Sequence, residues 1–122
     1  MIELVHLTIR GCCVSLKNSR DIAVNRRTGR MWPKKNAAIL KFEADFAAQV
    51  PPKARVGLRG PLAVTTDVWY PDERQDLDCA ILYDLLQSTG IIGNDRQIRE
   101  KHETRHTDKD NPRISLIVRR LQ

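Results

Sequence analysis

The chain has 122 residues, 41% apolar and only 5% aromatic, with a formal net charge of +6 and a pI near 9.6. That length holds one domain with a modest core, and a small core with few aromatics favours self-association. Three cysteines, two of them adjacent, argue against a disulfide framework, and no apolar run approaches a membrane span. Glu3 and His6 interrupt any secretion signal, so a cytoplasmic protein with reduced thiols and no membrane partner is expected.

Residues 2–10 alternate and are rich in β-branched side chains, which predicts a strand ended by Gly11. Residues 17–33 lack apolar periodicity and contain Asn18, Asn25, Gly29 and Pro33, which predicts a long, basic, mobile loop. A helix is predicted over 34–50, with Ile39, Phe42 and Phe46 on one face and Pro51-Pro52 as its stop. Residues 55–70 are β-rich with a break at Gly60-Pro61. Val64, Thr66, Val68 and Tyr70 share one face there, and Thr65, Asp67 and Trp69 the other. A second helix is predicted over 78–89, with Ile81, Leu82, Leu85 and Leu86 as its stripe and Gly90 as its stop. After a Gly93-Asn94 turn, residues 96–106 and 113–121 predict a hairpin turned at 108–112. The succession gives a single α+β domain, a mixed sheet packed with two main helices.

Charge is unevenly spread. Lys17, Arg20, Arg26, Arg27, Arg30, Lys34 and Lys35 crowd one stretch opposed only by Asp21, whereas acids concentrate between Asp67 and Asp84. A basic arm suits a phosphate backbone, because each contact releases counterions. Asp76 and Asp78 are two apart, so in extended chain both carboxylates point to one side while Leu77 turns to the core. Asp95 follows a helix and a turn later, and a chain returning along the helix brings it back towards the pair. Three convergent acids repel one another unless a cation lies between them, and magnesium accepts a few carboxylates, waters and a substrate phosphate. The alternative is an Asp that caps a helix beside a solvated neighbour. Asp72, Glu73 and Asp84 read as surface acids, with Asp84 able to approach from the helix face.

Asp76-Leu77-Asp78, the Leu-Tyr-Asp-Leu-Leu run at 82–86, Gly90 and Asn94-Asp95-Arg96-Gln97 together resemble the RusA-type Holliday junction resolvases. Ser15-Leu16-Lys17-Asn18 resembles that family's N-terminal motif. The resemblance covers most of the chain. It implies a homodimeric, magnesium-dependent endonuclease, with manganese as a substitute ion, that resolves four-way DNA junctions by paired nicks in recombination and repair. Such proteins are often encoded by phages or prophages. It assigns Asp76, Asp78 and Asp95 as catalytic metal ligands. The basic arm, with Lys17, Asn18, Arg20, Arg26, Arg27, Arg30, Lys34 and Lys35, is the expected DNA-binding surface. The chain departs from the family at Cys79, where Asn is common, and at Asn94, where a second acid is common. The family lysine one helical turn in has no counterpart in 80–84, which leaves Lys17 and Lys101 as candidate cations.

Other signals compete. His102-Glu103-Thr104-Arg105-His106 fits the H-E-x-x-H pattern of zinc proteases, but the stretch has no apolar stripe to bury a helix and reads as a solvent-facing strand. Cys12, Cys13, Cys79 and His6 match no common zinc spacing and read as buried thiols and a lone histidine. Trp32 is expected to anchor the following helix, with stacking on an unpaired base as the alternative. Two further functions fit the same residues: a non-catalytic basic DNA-binding protein, and a metal-dependent nuclease of structured RNA.

Overall fold

The computed structural model describes residues 3–17 and 20–121. Six strands and two helices follow in the order β1 (Leu4–Arg10), β2 (Arg20–Val24), β3 (Met31–Lys35), α1 (Ala37–Gln49), β4 (Leu62–Tyr70), α2 (Ala80–Ser88), β5 (Ile98–Thr107) and β6 (Arg113–Arg120). A four-stranded sheet runs β1-β6-β4-β5, and β2-β3 form a separate two-stranded ribbon. β5 is parallel to β4, and β6 is antiparallel to both β1 and β4. The α+β class and the mixed sheet follow the sequence expectation.

Alternation decides which face is buried. Val5, Leu7 and Ile9 on β1, Ile114, Leu116 and Val118 on β6, and Val64, Thr66 and Val68 on β4 are all buried. Ile39, Phe42 and Phe46 of α1 and Ile81, Leu82, Leu85 and Leu86 of α2 join the strand residues in one core cluster, except that Thr66 is the polar member of that face. Phe46 is fully buried, so Phe46→Ala would cost about 3–5 kcal/mol. The other face carries Thr65, Asp67 and Trp69, which remain exposed or half-buried. Among the described residues no helix is long and apolar enough to cross a membrane.

Helix ends follow local chemistry. The Asn36 side chain caps α1 by accepting the Ile39 N–H at 3.0 Å. Gly90, at φ +81°, closes α2: its N–H donates to Gln87 O at 3.1 Å, and the Ile91 N–H donates to Leu86 O at 3.1 Å.

Three expectations need correction. Residues 20–33 of the stretch predicted as a loop belong to the β2–β3 ribbon. Its turn is built by Asn25, whose carbonyl accepts the Gly29 N–H at 2.7 Å and whose side chain accepts the Arg27 N–H at 2.9 Å. Gly29, at φ +72°, supplies the left-handed residue of that turn. Lys34 and Lys35 therefore end β3 rather than begin a helix, and α1 starts at Ala37. The last two strands are not a hairpin: β4 lies between them. The link at 108–112 passes the end of β4, where the Asp108 N–H donates to Tyr70 O at 2.8 Å. Two strand spacings are only about 10 Å, which five residues span easily. Finally, α2 starts two residues later than expected, with Cys79 at its N-cap.

Candidate functional site

Residues 71–79 join β4 to α2 and carry Asp76 and Asp78. Two side chains hold this loop. Tyr70 is buried, and its Oη donates to Asp76 O at 3.1 Å while accepting the Asp78 N–H at 3.4 Å. It thus fixes the backbone on both sides of Leu77, which packs against the core. Burial pushes the Tyr70 phenol up to about 12, so the hydroxyl stays protonated. Arg105 holds the loop from β5: Nε donates to Gln75 O at 3.1 Å, and Nη2 to Asp72 O at 2.7 Å. Its Nη1 reaches Glu73 Oε2 at 3.2 Å, and its guanidinium lies 4.9 Å from the Tyr70 ring centre.

The segment after β1 meets this loop. Ser15 Oγ donates to Asp78 Oδ2 at 2.6 Å, while Asp78 Oδ1 accepts the Ala80 N–H at 3.1 Å. The Ser15 hydroxyl, the Ala80 amide and the nearby Lys17 charge hold the Asp78 carboxyl below the usual carboxylate range, against a smaller opposing effect of burial. Asp78 is therefore an anion at neutral pH. The Ser15-Leu16-Lys17 and Asp76-Leu77-Asp78 motifs, far apart in sequence, face one another. They border a cavity of about 200 Å³ lined by Cys13, Ser15, Lys17, Tyr70, Gln75 and Asp76. The Gln75 amide oxygen in this wall is buried and has no hydrogen-bond partner among the described residues.

Asp95 stands elsewhere. It opens a short 3-10 turn before β5, and its N–H donates to Gln87 Oε1 at 2.9 Å, beyond the last turn of α2. Asp95 lines a different cavity, shared with Asp84, Gln87, Ser88 and Arg96. The nine residues of α2 put about 13 Å of axial rise between the two ends. Its motif performs structural work there. Gln97 Oε1 accepts the N–H groups of Gly93 (2.9 Å) and Asn94 (2.8 Å), and its amide nitrogen donates to Leu58 O (2.9 Å) and Gly60 O (3.0 Å).

By donor chemistry, the Asp76 carboxylate and the unpartnered Gln75 amide oxygen at this cavity, with Asp78 two residues on, are oxygen ligands of the kind magnesium takes beside waters and a substrate phosphate. Asp95, the third expected ligand, lines a different cavity from Asp76. Among the described residues no group of three or more His, Cys, Asp or Glu is placed to hold a metal.

Of the candidate cations, Lys17 is the one at the cavity, whereas Lys101 lies 4.2 Å over the Tyr83 ring. Arg26, Arg27, Arg30 and Lys34 are exposed on the ribbon. Arg20 and Lys35 pair across its base, and Asn18 lies outside the described residues. His102 and His106 stand on strand β5, so the H-E-x-x-H run is not helical. Cys13 and Cys79 are buried free thiols; burial pushes both up, Cys79 to about 12, so neither is a ready thiolate.

Sequence reasoning passed over Ser15, Tyr70, Gln75 and Arg105 as site residues. Tyr70 carried a signal, because it shares a strand face with Val64 and Val68, where a tyrosine hydroxyl needs a partner. Arg105, one cation in a charged strand, carried none. No family model matches the chain, and no curated protein matches it.

Proposed function

We propose that the chain is a magnesium-dependent DNA endonuclease acting on four-way junctions, of the kind its motifs resemble, and that it works as a homodimer. One observation carries the reading: Asp76 and Lys17 line one cavity together with Ser15, and the same Ser15 hydroxyl holds an anionic Asp78 at 2.6 Å. This is an arrangement for a cation and a phosphate, not for capping alone. A capping Asp needs only the Ala80 amide; the serine from another element and the lysine are additional.

Asp76 and Asp78 would hold the ion. When bound, magnesium supplies water activation and stabilisation of the leaving oxygen. Ser15 keeps Asp78 in one orientation and ionised. Tyr70 and Arg105 keep the loop backbone from relaxing away from that position. Lys17 offsets the negative charge that two carboxylates and a phosphate bring together. The ribbon starts at Arg20, three positions after Lys17 in the chain, and its exposed cations would add phosphate contacts. A two-fold dimer matches the near two-fold symmetry of a junction and brings two cavities to two strands.

The test is cleavage of a synthetic four-way junction, a duplex of the same sequence and a structured RNA, each with magnesium and with EDTA. Paired nicks in the junction that require magnesium are expected. Preferred cutting of RNA would redirect the reading, and binding without any nick would end it.

A further inference from the structure

Trp32, expected as an anchor for α1, leaves much of its indole open to solvent. It is 46% exposed, and Val24 and Met31 on the same ribbon are 53% and 65% exposed. These are three of the six large apolar side chains left exposed among the described residues, so exposed apolar surface is concentrated on β2–β3. Val24 stands opposite Met31 and Ala23 opposite Trp32, which places apolar groups on both faces of the ribbon. Trp32 and Lys34 share a face about 7 Å apart. The tip is well formed: besides the Asn25 bonds, the Arg30 N–H donates to Thr28 Oγ1 at 3.2 Å and the Asn25 N–H to Arg30 O at 2.8 Å. Arg26, Arg27 and Arg30 are all exposed there.

A two-stranded ribbon alone is marginal in water, and an exposed tryptophan among cations invites an occupant. An apolar protein groove would strip water from four exposed cations without compensating them. A nucleic-acid strand satisfies both features, with phosphates for the cations and a base face for the indole. We propose that Trp32 is a stacking platform for unpaired bases, flanked by Arg26, Arg27, Arg30 and Lys34 on the neighbouring phosphates. A perfect duplex hides its base faces, so the platform favours single-stranded segments and open branch points over duplex. The inference rests on the nucleic-acid part of the proposed function, not on its cleavage chemistry.

The experiment measures affinity of the full chain in EDTA, where no cleavage occurs, for a single strand, a four-way junction with unpaired bases at its centre, and a perfect duplex. Trp32→Ala should weaken the first two by about 10- to 100-fold and the duplex by less than about 3-fold, and Trp32→Phe should retain most of the affinity. The paired change Arg26→Ala with Arg27→Ala should weaken all three and flatten their salt dependence. Single-strand binding should quench emission that is missing from Trp32→Phe. The other tryptophan, Trp69, is already stacked on His106 at 4.5 Å and on Arg113 at 4.1 Å.

Equal loss on all three substrates, or none, would overturn the proposal. So would a Trp32→Ala protein with unchanged DNA affinity that no longer self-associates in light scattering, because the ribbon would then be a contact between copies. Selective binding in EDTA without nicking in magnesium would support the platform and remove the nuclease reading. Absence of binding to any of the three would remove both.

Discussion

At the start of α2, Asp78 accepts a serine hydroxyl at 2.6 Å and a backbone amide at 3.1 Å, and that serine lines a cavity with Lys17 and Asp76. At its far end, Asp95 is exposed on a turn whose hydrogen bonds run through Gln87, Asn94 and Gln97. Both acids belong to motifs of one resemblance; at the first end a serine hydroxyl and an amide hold the Asp78 carboxylate itself, whereas at the far end Gln87 holds the Asp95 backbone N–H. A motif can mark a turn as well as a ligand, and the surroundings separate the two.

The largest effects should come from the first end. Asp78→Asn and Asp76→Asn should each lower junction cleavage by at least about 100-fold at saturating magnesium. DNA binding in EDTA should hold or tighten, because a negative charge leaves the path of the phosphate. Near-normal cleavage by either variant would break the comparison.

Arg105 should come next. Lysine keeps the charge but not the fork that reaches Gln75 O and Asp72 O together. Arg105→Lys should therefore lower kcat by about 10- to 100-fold with little change in DNA affinity. A loss of affinity with kcat intact would place Arg105 in substrate binding instead.

Ser15→Ala should have the smaller effect, and its pH dependence carries the information. Asp78 has a folded pKa below its unfolded value, so it adds stability above the ordinary carboxylate pKa. That contribution is lost as pH falls through the folded value. Without the serine hydroxyl, the folded value rises towards the ordinary one. The variant should be less stable than wild type in urea at pH 7, and the gap should narrow below about pH 4. A gap that stays constant into acid would show that Ser15 acts by packing alone.

Much of the fold was legible because strong periodicity and clear punctuation coincided. Ile39, Phe42 and Phe46, then Ile81 to Leu86 with Gly90, fixed two helices, and the alternation of β4 fixed its buried face. Strand pairing was not legible. Adjacent strands with a short turn suggest a hairpin, whereas the βαβ crossover through α2 seats β5 on the far side of β4. The ribbon was hidden because its cations and Pro33 mask the β pattern, although Asn25 and Gly29 at that spacing are a turn signal. In the site, Asp76 and Asp78 were readable from the period of extended chain. Their supports come from Ser15 and Arg105, on segments whose proximity exists only after folding.

The account turns on which end of α2 does the chemistry. Single-turnover cleavage of one four-way junction by wild type, Asp78→Asn and Asp95→Asn, side by side at saturating magnesium, tests this directly. The geometry predicts that Asp78→Asn falls by at least about 100-fold while Asp95→Asn stays within about tenfold of wild type. Equal, deep losses at both positions would contradict a site complete at one end of α2, and would require the two ends to meet through a second copy of the chain.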